Sequence, residues 1–155
     1  MPSRSLLTLT VAFVLAVATF TVVAGAQEPP PNPADPRIVS GGAQRALDTA
    51  RARWRAAKVR SYDWEVRRSC FCPVTGWRLV KVRNTLPARS TKADVQDIAT
   101  VPRLFRVIQH AIHERAHSLT VVYGARGVPA RVSIDAVQYL ADEEQYLSTR
   151  RLRRR

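Results

Sequence analysis

Two cysteines, three histidines and one acidic run are the parts of this 155-residue chain whose types and spacing could do chemistry. Cys70 and Cys72 are the only cysteines, one residue apart and followed by Pro73. In an oxidising compartment an even count of two points to a disulfide. Residues i and i+2 of an extended strand hold their Cα atoms near or slightly beyond the bridging limit, so a bridge here demands a bend. So short a loop constrains the unfolded chain little and adds little stability. A strained short-loop bridge is also more easily reduced. A structural bridge leads; two free thiols, a redox pair and a metal-binding pair are the other readings. A thioredoxin-type motif has two intervening residues at a helix start, and this run has neither.

His110, His113 and His117 are all the histidines. On one helix they share a narrow arc opposite Leu104, Ile108 and Ile112. Three imidazoles so placed could share a metal ion, with two thiolates completing a soft site. Strand parity turns Cys70 and Cys72 to the same face as Trp64, so the two sets point apart. The histidines therefore read as solvated, and neither a metal nor another cofactor is expected. Asp142, Glu143 and Glu144 read as partners for neighbouring arginines, in exposed pairs of small energetic weight. There is no Gly-x-Ser-x-Gly, no His-Glu-x-x-His and no nucleophile placed beside a base, so no enzyme activity is expected.

The elements that must position these residues follow from hydrophobic period. Residues 43–58 place Ala43, Ala46, Leu47, Ala50, Trp54 and Ala57 on one helical stripe, with arginines off it. From Tyr62 the period becomes two: Tyr62, Trp64 and Val66 share one face, and Asp63, Glu65 and Arg67 the other. Residues 77–85 form a second strand around Val80 and Val82, with a turn at 74–76 between them. Residues 86–100 are polar without a consistent period and read as a loop, with a short strand within it as the alternative. Thr100 caps a second helix with Pro102 in its first turn and Leu104, Phe105, Ile108, Ala111 and Ile112 on its buried stripe, ending near Arg115 or Ala116. Residues 117–123 and 128–135 alternate again around a turn at 124–127. A last edge strand falls in 143–152, the final Arg-Arg-Leu-Arg-Arg-Arg run over 150–155 reads as frayed and solvated, and 153–155 is a basic tail.

Helix, two strands, helix, then two or three strands is the order of an α+β fold. The expectation is a two-layer domain over 43–152, an antiparallel sheet of four to five strands with two amphipathic helices on one face. If the other face is open, it carries Asp63, Glu65, Arg67, Arg131 and Ser133 as the candidate ligand surface, with a plain solvated sheet face as the alternative.

Residues 1–26 have the pattern of a secretory signal: Arg4, an apolar run over 6–24 and a small-residue Ala24-Gly25-Ala26 cleavage site. The run approaches the length of a membrane span, so an uncleaved anchor is the rival reading. Residues 27–42 are a proline-rich linker with five prolines in their first eleven residues. The chain has 25 basic and 12 acidic residues, a formal net charge of +13, and a polyanionic partner is the usual meaning of such an excess. Export argues against nucleic acid, and arginine in place of lysine is as easily a coding bias as a binding surface. Anionic envelope polymers or lipid head groups are the expected partners, with membrane attachment only if the leader stays uncleaved.

The runs ARARWRAAKVRSYDWEVRRSCFCP and VVYGARGVPARVSID, and the following ADEE-x-Y, resemble a bacterial family of exported proteins, domain of unknown function 6174. The resemblance covers residues 47–152. Tyr62, the Ser-Cys-Phe-Cys-Pro run at 69–73, Tyr123, Pro129, Ile134 and Asp135 carry it most specifically. Members often have an Asp-Pro turn before a Gly-Tyr-Pro pattern, shortened here to the stretch from Tyr123 to Pro129. Between the second strand and second helix this chain also lacks the Asp-Gly turn and following strand of the family. The resemblance implies an exported domain and carries no activity with it. The sequence as a whole points to an exported, non-enzymatic binding or structural module. A thiol-redox or metal-handling protein using Cys70 and Cys72, and an electrostatic adhesion module, are the alternatives.

Overall fold

The alternating run that begins at Tyr62 forms β1 (Tyr62–Cys70), and a sheet grows from both its edges. A computed structural model of the chain describes residues 32–70, 76–140 and 144–155. The expected leader, most of the expected 74–76 turn, Cys72, Asp142 and Glu143 lie outside the described residues. Among the described residues no helix is long and apolar enough to cross a membrane.

The described elements are α1 (Pro36–Val39), α2 (Gly42–Ala56), β1, β2 (Arg78–Arg83), β3 (Leu86–Pro87), α3 (Val101–His113), β4 (Ser118–Tyr123), β5 (Pro129–Asp135) and β6 (Gln145–Arg154). Two 3-10 helices, Ala93–Ile98 and Ala125–Gly127, lie in the connections. The fold is α+β, with one antiparallel sheet in the order β3-β2-β1-β6-β5-β4. Six strands replace the expected four to five. The added one is β3, the alternative short strand within 86–100, which a two-residue turn at Asn84 and Thr85 folds back on β2. Both turn residues have positive φ, 47° and 72°, the backbone of a tight hairpin turn usually made by Asn-Gly.

Alternation decides which side of the sheet is buried. Tyr62, Trp64 and Val66 of β1, Val80 and Val82 of β2, Leu119 of β4, Val132 and Ile134 of β5 and Leu147 of β6 all point inward. Leu47, Ala50 and Trp54 of α2 and Val101, Leu104, Phe105, Ile108 and Ala111 of α3 complete one core with them. Each large apolar side chain so buried contributes about 1.5–3 kcal/mol. Residues 86–100, expected as a loop, also enter the core: the 3-10 helix there buries Val95 and Ile98 completely. Two apolar residues three apart in a six-residue helix are too few to show a period.

At the centre of this core, Trp54, Tyr62 and Trp64 stack edge to face, with centroids 5.5 and 5.8 Å apart. The two β1 aromatics also hold the start of α3. The Tyr62 hydroxyl accepts the Val101 N–H at 2.9 Å, and the Trp64 indole donates to the Ala99 carbonyl at 3.2 Å. Between them Thr100 caps α3 as expected, its side chain accepting the Arg103 N–H. Burial pushes the Tyr62 phenol up to about 12, although the Val101 N–H opposes the shift.

Three expectations need correction. The strand β6, expected at an edge, lies between β1 and β5. Its charged C-terminal half pairs with β1 as far as Tyr62 opposite Arg154, and the Arg155 N–H donates to the Ser61 carbonyl. The 153–155 tail is therefore part of the sheet. The last residues of the expected linker are also part of the domain. Asp35, only 5% exposed, caps α1 by accepting the Arg37 N–H and also accepts the Leu119 N–H at 2.9 Å. Its own N–H donates to the Ala116 carbonyl, and Asn32 exchanges hydrogen bonds with Ala136 and Gln138.

Gly127 fixes how α2 sits. It has φ +76°, and a Cβ there would stand 2.1 Å from the Ala50 carbonyl oxygen of α2. Gly127→Ala should therefore displace α2 and cost more than about 2 kcal/mol in denaturant unfolding, because both backbone strain and overpacking oppose it. Tyr62→Phe keeps the ring but leaves the buried Val101 N–H unsatisfied. Its expected cost is about 1–3 kcal/mol by the same measurement, and an unchanged stability would count against the hydrogen bond's role.

Candidate functional site on the open sheet face

The inner face of the sheet is filled, so its chemistry lies on the outer face, where Leu79, Val122 and Tyr146 are 61%, 39% and 48% exposed. Parity sends Asp63, Glu65 and Arg67 of β1 there, with Arg131 and Ser133 of β5. These are the expected ligand residues, and the structure divides them into two groups.

Asp63 and Glu65 are already occupied. Asp63 accepts from Arg83 and from Arg155, each at 2.8 Å, and is itself buried. Glu65 accepts from Arg150 at 2.6 Å and from Arg151 at 3.0 Å. The Arg83 hydrogen bond, against opposing burial and with help from Arg155, holds the Asp63 carboxyl below its ordinary 3.8. The Arg150 hydrogen bond, also opposed by burial and helped by Arg151, holds Glu65 below 4.5. A β-bulge makes this double pairing possible. β6 carries one more residue than β1 between the Asp63–Arg153 and Glu65–Arg150 pairs, and Arg151 has φ 55° there.

Arg67, Arg131 and Ser133 stay available. Ser148 of β6 lies opposite Arg67 on one side and Arg131 on the other, so the two arginines share one row across three strands. In the next row Tyr146 lies between Ser69 and Ser133. Among the described residues neither Arg67 nor Arg131 makes an ion pair. Arg67 stacks over the Trp77 ring at 5.0 Å, and Arg150 stacks over it at 3.9 Å. Towards the Cys70 end the face turns acidic, with Asp135 beyond Ser133 and Glu144 accepting the Tyr146 hydroxyl at 2.7 Å.

Trp77, Ser148, Arg150, Arg151 and Arg155 are site residues that the sequence reading missed. Trp77 has the outward parity of Leu79 and was legible. The β6 residues are not, because 143–152 reads as an edge strand and 150–155 as a frayed end.

The other candidates are dispersed. Cys70 ends β1 opposite Gln145, the first residue of β6. His110 and His113 are exposed at the end of α3, 3.8 and 3.0 Å from Glu114. His117 lies beyond the helix, its Nδ1–H tautomer donating to the Pro33 carbonyl at 2.9 Å. Among the described residues no group of three or more His, Cys, Asp or Glu is placed to hold a metal ion.

Fold and face together define an α+β sheet domain with one covered side and one open, largely basic side. The chain belongs to the family of unknown function DUF6174, whose match spans residues 46–154, from within α2 to the last residue of β6. No curated protein and no solved structure matches it.

The double pairing predicts how the C-terminal residues act. Arg155→Ala removes the guanidinium from Asp63 while leaving the β6 backbone in place, and should lower the melting temperature at neutral pH. The loss should be modest, about 1 kcal/mol or less, because Arg155 is well exposed and screened. An ionised Asp63 with a depressed folded pKa stabilises the fold above 3.8, and that contribution is lost as pH falls through the folded pKa. The difference between the parent chain and Arg155→Ala should therefore shrink in thermal melts as pH falls below 3.8.

Proposed function

We propose that this protein is an exported, non-enzymatic binding domain that holds anionic groups on the open face of its sheet. The observation that carries the reading is the Arg67–Ser148–Arg131 row. The carboxylates on its β1 side, Asp63 and Glu65, are each neutralised by two other arginines. An incoming anion therefore meets two uncommitted guanidiniums, with Ser133 and Trp77 beside them, and no free carboxylate in the same rows. Guanidinium suits this task because its planar fork can hold an oxyanion by two hydrogen bonds. Anionic envelope polymers are the first expected ligands and lipid head groups the second.

Export and the absence of turnover belong to the same reading, supported by the signal pattern of residues 1–26 and by the lack of any catalytic motif. So does a bridge between Cys70 and Cys72, which an oxidising compartment favours. Intact-mass measurement before and after reduction tests it: the native protein should weigh two hydrogens less, and titratable native thiols would exclude it.

The binding test uses polyphosphate as a soluble polyanion and phosphatidylglycerol vesicles as the lipid arm. Binding should weaken steeply between low and moderate salt. Arg67→Gln/Arg131→Gln should reduce it by about tenfold, roughly 1.4 kcal/mol, with folding intact. Binding that ignores salt, or that survives the double substitution, would contradict the reading.

A further inference from the structure

The covered side of the sheet carries a second, chemically different feature. A cleft of about 580 Å3 lies between α2 and the first two turns of α3, with the β2–β3 hairpin as its end wall. Its volume is within the range of small-molecule sites, roughly 300–1,000 Å3. The floor is apolar: Trp54 and Phe105 reach it from the core, and Pro102 and Leu86 flank it. Leu86 is 68% exposed, the largest exposure among the large hydrophobic residues described. The hairpin that holds it there turns through Thr85, a β-branched residue at φ +72° whose N–H donates to the Arg60 carbonyl at 2.8 Å. Backbone strain of this kind needs support from its surroundings and is commonest at ligand sites.

Four arginines and no acidic residue line the same cleft. Two have structural work. Arg51 bonds the Gln109 side chain at 2.7 Å and the Phe105 carbonyl at 3.4 Å, and Arg103 bonds Gln96. Arg55 of α2 and Arg106 of α3 make no hydrogen bond or ion pair among the described residues. The start of α3 offers an anion little in their place. The Val101 N–H goes to Tyr62, Pro102 has none, and the Arg103 and Leu104 N–H groups go to Thr100.

We infer that this cleft binds a single-chain amphiphilic oxyanion, with its aliphatic chain on the Trp54, Leu86, Pro102 and Phe105 floor and its head group between Arg55 and Arg106. Each half of such a ligand answers one half of the site. A small inorganic anion would leave the apolar floor wet. An uncharged hydrocarbon would lie beside two guanidiniums without satisfying them. Carboxylate and phosphate heads share the required chemistry, since both take guanidinium bonds bidentately. The site is independent of the open face on the opposite side of the sheet.

Isothermal titration of the full-length protein with decanoate and with decyl phosphate, each below its micellar concentration, tests the inference. At least one should bind at a single saturable site, naming the head group, while acetate and decanol should bind at least about tenfold more weakly. Arg55→Gln/Arg106→Gln should weaken that binding by about tenfold or more, since charge-assisted hydrogen bonds are lost. Both arginines are exposed, so this variant should keep its melting temperature. Leu86→Asp, which puts a like charge at the mouth, should also weaken binding, whereas Arg67→Gln/Arg131→Gln should not. The inference is overturned if neither decyl compound binds, if decanol binds as well as the anions, or if the sheet-face variant loses binding as much as the cleft variant.

Discussion

One tyrosine hydroxyl joins the two layers of this protein. The first N–H groups of an α-helix have no partner within the helix, and the first N–H of α3 is buried. Tyr62 accepts it from the middle of the core, and Trp64, two residues on, takes the Ala99 carbonyl just before it. The alternation that makes β1 a strand puts both side chains on the same face, so one strand grips both sides of the helix start. Trp54 stacks on Tyr62 from α2. The packing of the sheet on α2 and its hold on the start of α3 therefore meet at these rings.

With the inner face committed in this way, the outer face of β1 is free to carry charge. Its two carboxylates recruit arginines from both neighbouring strands: Arg83 from β2, and Arg150, Arg151 and Arg155 from the β6 end of the chain. That arrangement explains how a strand as basic as β6 can lie inside a sheet. Its inward side is anchored by Leu147 and Leu152, and Arg150, Arg151 and Arg155 at its end have anionic partners in Glu65 and Asp63. Arg67 and Arg131 on one side of the sheet, and Arg55 and Arg106 on the other, are not committed in this way among the described residues.

The legible parts of the fold were those with a strong local period. The buried stripes of α2 and α3, the alternation of β1, β2, β4 and β5, and the Thr100 cap all follow from neighbouring residues. The missed parts depend on partners far away in sequence. Asp35 looks like a linker residue until the Leu119 N–H, 84 residues on, meets its carboxylate. The basic end of β6 looks solvated, and the strand looks like an edge, because the partners of that end are on β1. The 3-10 helix at 93–98 buries only Val95 and Ile98, too short a signal for any period. The candidate site was half legible for the same reason. Parity placed Asp63, Glu65, Arg67, Arg131 and Ser133 on one face, but only the central position of β6 separates the occupied carboxylates from the open arginine row.

Native-state hydrogen exchange of the Val101 amide tests the joining of the layers most directly. An N–H in the first turn of a helix ordinarily exchanges through fraying, with little protection. If Tyr62 joins β1 to α3 as described, this amide should exchange only with global unfolding, as slowly as the central amides of β1. Rapid exchange at Val101 while the β1 amides stay protected would show that α3 frays independently of the sheet, and would contradict the account.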